Sequence, residues 1–111
     1  MSDSRSSGRY QVDILDDWPL FLYQDARKAW GEEPQITLAQ EELAELNVEL
    51  ARHFRGRNDD EDVIDEIADV LIAVNQLALI FGLGETEARV EYKLQRLRDR
   101  VDQSLDTGNE Q

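Results

Sequence analysis

The chain has no cysteine, one histidine, two lysines and two prolines among its 111 residues. Without cysteine there is no disulfide framework and no thiolate metal site, which fits a reducing compartment, and a cytoplasmic location is expected. The single histidine, His53, lies four residues after Glu49. The Glu-x-x-His pairs of ferritin-like di-iron bundles are therefore missing, and His53 is expected at a helix end. No basic leader followed by an apolar stretch opens the chain, so no signal peptide is expected. Long apolar runs are missing too. The most apolar stretch, Ile67 to Phe81, covers 15 residues and is interrupted by Asp69, Asn75 and Gln76. A membrane span needs about 20 residues, so this stretch is expected to be a buried helix of a soluble protein.

What the chain has in excess is acid: 25 Asp and Glu against 12 Lys and Arg, for a formal net charge of −13. Nucleic-acid polymers and anionic membrane surfaces are poor partners for such a charge. A single nucleotide remains open to it, provided a divalent cation bridges the phosphates to the acids. Arginine outnumbers lysine ten to two. Many acids with few lysines also mark the surfaces of salt-adapted proteins, where salt screens the self-repulsion.

The length predicts a single domain. Residues 1–10, rich in Ser, Gly and Arg, read as a mobile arm, 11–104 as the folded domain and 105–111 as a frayed tail. Four helices are expected. The first runs from about Asp16 to Trp30, with Leu20, Phe21, Tyr23, Ala26 and Trp30 as apolar surface, and Gly31 and Pro34 stop it. The second starts near Thr37, where Gln40 three residues on makes a capping-box pattern. It carries Leu43, Leu46, Leu50 and Phe54 on one face, and Gly56 to Asn58 break it. The third opens in the acidic run Asp59 to Asp62, which suits the positive end of a helix dipole, and continues to Phe81 before Gly82 and Gly84. The fourth runs from about Thr86 to Asp102, apolar through Ala88, Tyr92, Leu94, Leu97 and Val101. Its basic side is Arg89, Lys93, Arg96, Arg98 and Arg100. No segment alternates with period two, so no sheet is expected. The class is all-α. From Ile67 onward the third helix is apolar around nearly its whole circumference, the mark of a buried helix. Four short helices rarely enclose one of their number, so a second subunit is expected to cover it.

The acids also fall in a pattern. Glu41, Glu42 and Glu45 share a 100° arc of the second helix, and Glu66 and Asp69 form an i, i+3 pair on the third. Twenty-one positions separate Glu45 from Glu66, enough to finish one helix, turn and start the next antiparallel to it, which can bring Glu42 and Glu45 opposite Glu66 and Asp69. Asp69 lies in the apolar stretch, an expensive place for an unpaired carboxylate. Converging carboxylates repel unless a cation sits among them, and oxygen-only ligands favour Mg²⁺ or Mn²⁺ over zinc or copper. Solvated surface glutamates at the same spacing are the other reading.

The pattern resembles the MazG-like, all-α nucleoside triphosphate pyrophosphohydrolases, whose signature is E-E-x-x-E, a spacer, then E-x-x-D. This chain has Glu41-Glu42-Leu43-Ala44-Glu45 and Glu66-Ile67-Ala68-Asp69. The flanking words are similar as well: Trp30-Gly31 and Gln35 before the first motif, Gly56-Arg57 between the two, EIADVL running into Asn75-Gln76-Leu77, and Lys93 to Arg98 in a basic last helix. The likeness spans about Trp30 to Arg100 and is closest to the short, single-domain kind. It implies a helical protomer that dimerises or tetramerises with its site near the subunit interface. It also implies Mg²⁺-dependent cleavage of the α–β phosphoanhydride of a nucleoside or deoxynucleoside triphosphate, giving monophosphate and pyrophosphate.

Carried over by position, Glu42, Glu45, Glu66 and Asp69 would hold the metal. Glu41 would orient or deprotonate the attacking water, and Lys93 and Arg96 would meet the outer phosphates. Trp30 is a candidate for stacking on the base, with a place in the core as the alternative. Asn75 is a candidate for a hydrogen bond to substrate, to a partner helix or to a neighbouring turn. Where family members often carry Asn two positions before the C-terminal Lys, this chain has Glu91. Two other readings stay open: a phosphoribosyl-ATP pyrophosphohydrolase or an enzyme dedicated to one base such as dUTP or dCTP, and a non-catalytic helical oligomerisation or binding module.

Overall fold

The computed structural model describes residues 17–109. They form four α-helices and no strand: α1 Asp17–Trp30, α2 Glu32–Phe54, α3 Asp60–Phe81 and α4 Leu83–Asn109. The all-α expectation holds for these residues. The expected mobile arm, 1–10, lies outside them. Helices α1 to α3 form one compact unit and α4 belongs to another. No single helix is long and apolar enough to cross a membrane.

Helix α1 ends at Gly31, whose φ of 86° is a left-handed value natural to glycine. Its N–H donates to the Arg27 carbonyl at 2.8 Å. The Arg27 guanidinium pairs with Glu32 across the break. The second helix starts at Glu32, five residues before the expected Thr37. Pro34 does not delay it, because a proline in the first turn lacks only an N–H that has no partner within the helix there. Thr37 and Gln40 are therefore helix interior rather than a capping box, and the N-cap is Gly31 with no side-chain cap.

The turn from α2 to α3 is tied down by side chains. Asn58 Nδ2 donates to the Glu49 carbonyl at 3.0 Å and to Glu49 Oε1 at 2.6 Å. His53, at the end of α2, has Nδ1 3.2 Å from Asn58 Oδ1 and Nε2 3.6 Å from Asp60. Asp59 then caps α3 in a reciprocal box: Asp62 N donates to Asp59 Oδ1 at 3.3 Å, and Asp59 N donates to Asp62 Oδ2 at 3.1 Å. Gly82, at φ 139°, ends the helix. The fourth helix begins at Leu83 and continues to Asn109, past the expected end near Asp102, so 105–109 of the expected tail is helical.

Helices α2 and α3 pack as a hairpin, and α1 adds to both. The side chains buried between them are small or polar: Ala39, Ala73, Ala78, Gln35 and Gln76, with Tyr23 and Ala26 from α1. Large apolar side chains stay open to solvent, among them Phe54 at 92 %, Leu71 at 58 % and Phe81 at 72 %. The stretch Ile67 to Phe81 is thus not enclosed by this chain; it buries only Ala73, Gln76 and Ala78. Asp69, expected as a charge inside an apolar helix, is exposed. The apolar wheel correctly describes the helix, but the hairpin meets its alanine side and leaves Asp69 and much of the isoleucine and leucine surface outside.

The Asp59 box gives the first prediction. Replacing an N-cap carboxylate by alanine typically costs about 1 kcal/mol. Asp59→Ala should lower the unfolding free energy by that amount, read as a fall of about 0.3–1 M in the urea midpoint at an unchanged m-value, measured by circular dichroism at 222 nm.

Candidate functional site

The hairpin brings Glu42 and Glu45 from α2 against Glu66 from α3. One carboxylate oxygen from each lies within 4.8 Å of the other two. Glu42 and Glu66 are half-buried and Glu45 is exposed. Two oxygens in this group, Glu42 Oε1 and Glu66 Oε2, are buried and accept from no donor. The electrostatics follow from the crowding. The Glu42 carboxyl, placed to accept a hydrogen bond from Glu66 when Glu66 is protonated, pushes the Glu66 carboxyl up from its ordinary 4.5 to about 7, and desolvation and the charges of Glu42, Glu45 and Asp69 add to the rise. Such a cluster needs either a shared proton or a cation. Its donors are all carboxylate oxygens, acceptor-only and hard, and two of them are buried without a partner. That set fits a hard divalent cation such as Mg²⁺ or Mn²⁺ and offers nothing to a soft one.

Of the four expected metal ligands the structure brings three together. Asp69 stands one turn beyond Glu66, near enough for its charge to act on Glu66, but exposed and outside the group of three. Glu41 is exposed and also outside it. It lines a cavity of about 510 Å³ whose wall comes mostly from the first half of α2. Trp30 lines the same cavity and is 67 % exposed, so it is not a core residue. Pro34 and Leu38 supply further apolar wall, and Glu33, Thr37, Gln35 and Gln76 supply the polar part. Asn75 is half-buried and is not among these lining residues; the neighbouring amide, Gln76, takes that place. Lys93 and Arg96 lie one turn apart on α4, both exposed, with the Arg96 guanidinium carbon 6.0 Å from the centre of the Tyr92 ring.

In the sequence Gln35 and Gln76 flank the acidic motifs, and no binding role is expected of either; the structure places both on the cavity wall. They are the two buried polar side chains among the described residues. Gln35 Nε2 has no acceptor, and a buried donor left so typically costs about 1–3 kcal/mol. The available signal was an amide set among apolar neighbours in a helix, as at Gln76. No protein-family model, curated protein or solved structure matches the chain. The likeness to MazG-like enzymes therefore rests on the motif residues and their surroundings alone.

The raised Glu66 carboxyl fixes a pH dependence for the metal-free protein. Between pH 4.5 and about 7 the folded state keeps a proton that the unfolded state has released. Stability must then fall as pH rises through that window. Melting temperatures measured in EDTA from pH 4.5 to 7.5 should show this decline, and Glu66→Gln should flatten it relative to the wild type.

Proposed function

We propose that the protein is a Mg²⁺-dependent nucleoside triphosphate pyrophosphohydrolase. The observation that carries the reading is the convergence of Glu42, Glu45 and Glu66 with two buried carboxylate oxygens that have no donor. These three would hold Mg²⁺, or Mn²⁺ in its place, with Asp69 as a fourth ligand one turn along α3. A cation held there supplies neutralisation of phosphate charge and a lowered pKa for bound water.

The remaining roles belong to the chain. Trp30 offers an exposed ring on which the base stacks. Glu41, on the cavity wall and next to Glu42 in sequence, orients the attacking water and accepts its proton. The water oxygen bonds to the α-phosphorus as the bond from that phosphorus to the α–β bridging oxygen breaks, and pyrophosphate leaves. Lys93 and Arg96 stabilise the charge that develops on pyrophosphate, and Asn75 contributes a hydrogen bond to substrate. Location in the cytoplasm follows from the substrate. A homo-oligomer, dimer or tetramer, follows from the apolar surface of α3, where Ile64, Ile67, Leu71 and Ile72 are all more than 40 % exposed.

One observation favours the non-catalytic module: Asp69 is exposed and so bears no burial cost that a function would need to offset. The unpartnered oxygens of Glu42 and Glu66 weigh against it, since a bland acidic surface would leave them hydrated.

Two experiments test the reading. Incubation with Mg²⁺ and a panel of nucleoside and deoxynucleoside triphosphates should release monophosphate and pyrophosphate. Mg²⁺ should also raise the melting temperature by mass action, and Glu66→Gln should remove that increment. Glu41→Gln should keep the increment while kcat falls by about 10²–10⁴-fold, and Lys93→Ala should mainly raise KM. Orthophosphate as the sole inorganic product would defeat the assigned reaction. Separately, light scattering at micromolar protein should show at least a dimer, and Leu71→Glu should shift it toward monomer.

A further inference from the structure

The cavity lined by Trp30 and Glu41 has a composition of its own. Its volume, about 510 Å³, lies within the ~300–1,000 Å³ common for small-molecule sites. Among the described residues no lysine or arginine lines it, whereas two carboxylates, Glu33 and Glu41, do. It therefore offers a phosphate no direct cationic contact and suits the uncharged end of a nucleotide. Trp30 is a largely exposed aromatic platform, and both buried amides, Gln35 at 4 % and Gln76 at 8 % exposure, line the same space. Gln35 Nε2 has no acceptor. Rotation about its terminal torsion, which is soft, presents either amide atom to a ligand edge.

We propose that this cavity selects nucleobases that carry an exocyclic amino group beside a ring nitrogen acceptor (cytosine, adenine and guanine, of which cytosine and adenine serve as probes) over uracil and thymine. The inference rests on the nucleotide reading above and adds the class of base. An amide pairs with a donor beside an acceptor, as glutamine does with adenine, and a carboxylate accepts from the cytosine amino group. Uracil could also satisfy an amide, so the amides alone do not discriminate. Glu33 does: an acceptor-only group attracts the amino hydrogen of cytosine or adenine and repels the carbonyl oxygen that uracil and thymine carry in its place. Stacking on Trp30 adds affinity without preference, because every base has a π-face.

The test uses neutral nucleosides without divalent metal, so it does not depend on catalysis. In a Trp18→Phe background, quenching of Trp30 fluorescence by cytidine, adenosine, uridine and thymidine gives four dissociation constants. Cytidine and adenosine should bind at least about fivefold tighter than uridine and thymidine. Glu33→Gln should bring the ratio close to one, and Trp30→Ala, followed by calorimetry, should weaken all four by about tenfold or more. In the wild type, the side-chain amide resonances of Gln35 and Gln76 should shift with cytidine, which keeps the test open should the Trp18 variant fold poorly. Equal affinities, tighter uridine, or no saturable response of ring or amides would overturn the proposal. Discrimination among nucleosides with no pyrophosphate released from any triphosphate would support the base site and remove the hydrolase reading. Hydrolysis of all triphosphates alike, with no discrimination among nucleosides, would leave the hydrolase and remove the base site.

Discussion

Three like charges held together by a helical hairpin are the constraint on which the site depends. Charges about 4 Å apart near a protein surface repel by about 4 kcal/mol, so the hairpin holds Glu42, Glu45 and Glu66 against an outward electrostatic force. Its turn is built for that load: Asn58 bridges back to Glu49, and Asp59 and Asp62 cap each other. With no cation the strain is relieved by a proton on Glu66. A cation bound under the proposed function would compete with that proton for the same oxygens and so bind more tightly as pH rises toward neutrality.

The packing that makes this hairpin possible also explains what surrounds it. Ala39, Ala73 and Ala78 are buried, and small residues let backbones approach closely enough for Glu42 and Glu45 to meet Glu66. The cost is a thin core. Apolar side chains that would fill a larger one lie outside, and their area is left for another surface to cover.

The α-helical class, the hairpin and three of the site's glutamates were legible because each follows from periodicity or from residue spacing. Burial was not. Leu43, Leu46, Leu50 and Phe54 share a helix face as expected, yet Leu43, Leu50 and Phe54 are exposed and the alanine face is buried instead. A period identifies a face but not the neighbour that covers it. Asp69 shows the same limit: an i, i+3 spacing puts it on the Glu66 side of α3, and the way the hairpin packs decides that Glu66 points in while Asp69 stays in solvent. Local rules can also compete. Pro34 read as a stop because proline breaks helix interiors, but in the first turn it costs no hydrogen bond, and α2 gained five residues that carry Glu33 and Gln35 into the cavity.

Those five residues matter for what the site can hold. At 1.5 Å per residue, Gln35 and Glu42 stand about 10 Å apart along α2, so one helix carries residues of both the cavity walled by Trp30, Gln35 and Glu33 and the carboxylate cluster. Among the described residues the cavity offers an anion no cation on its wall. The cluster attracts anions only through a divalent metal. Under the proposed function, a ligand that engaged both would be flat and neutral at one end and strongly anionic at the other, with its charge carried by groups that bind hard metals. Nucleotides meet all of these demands at once, whereas a bare polyphosphate leaves the cavity unused and a nucleoside leaves the acids unneutralised.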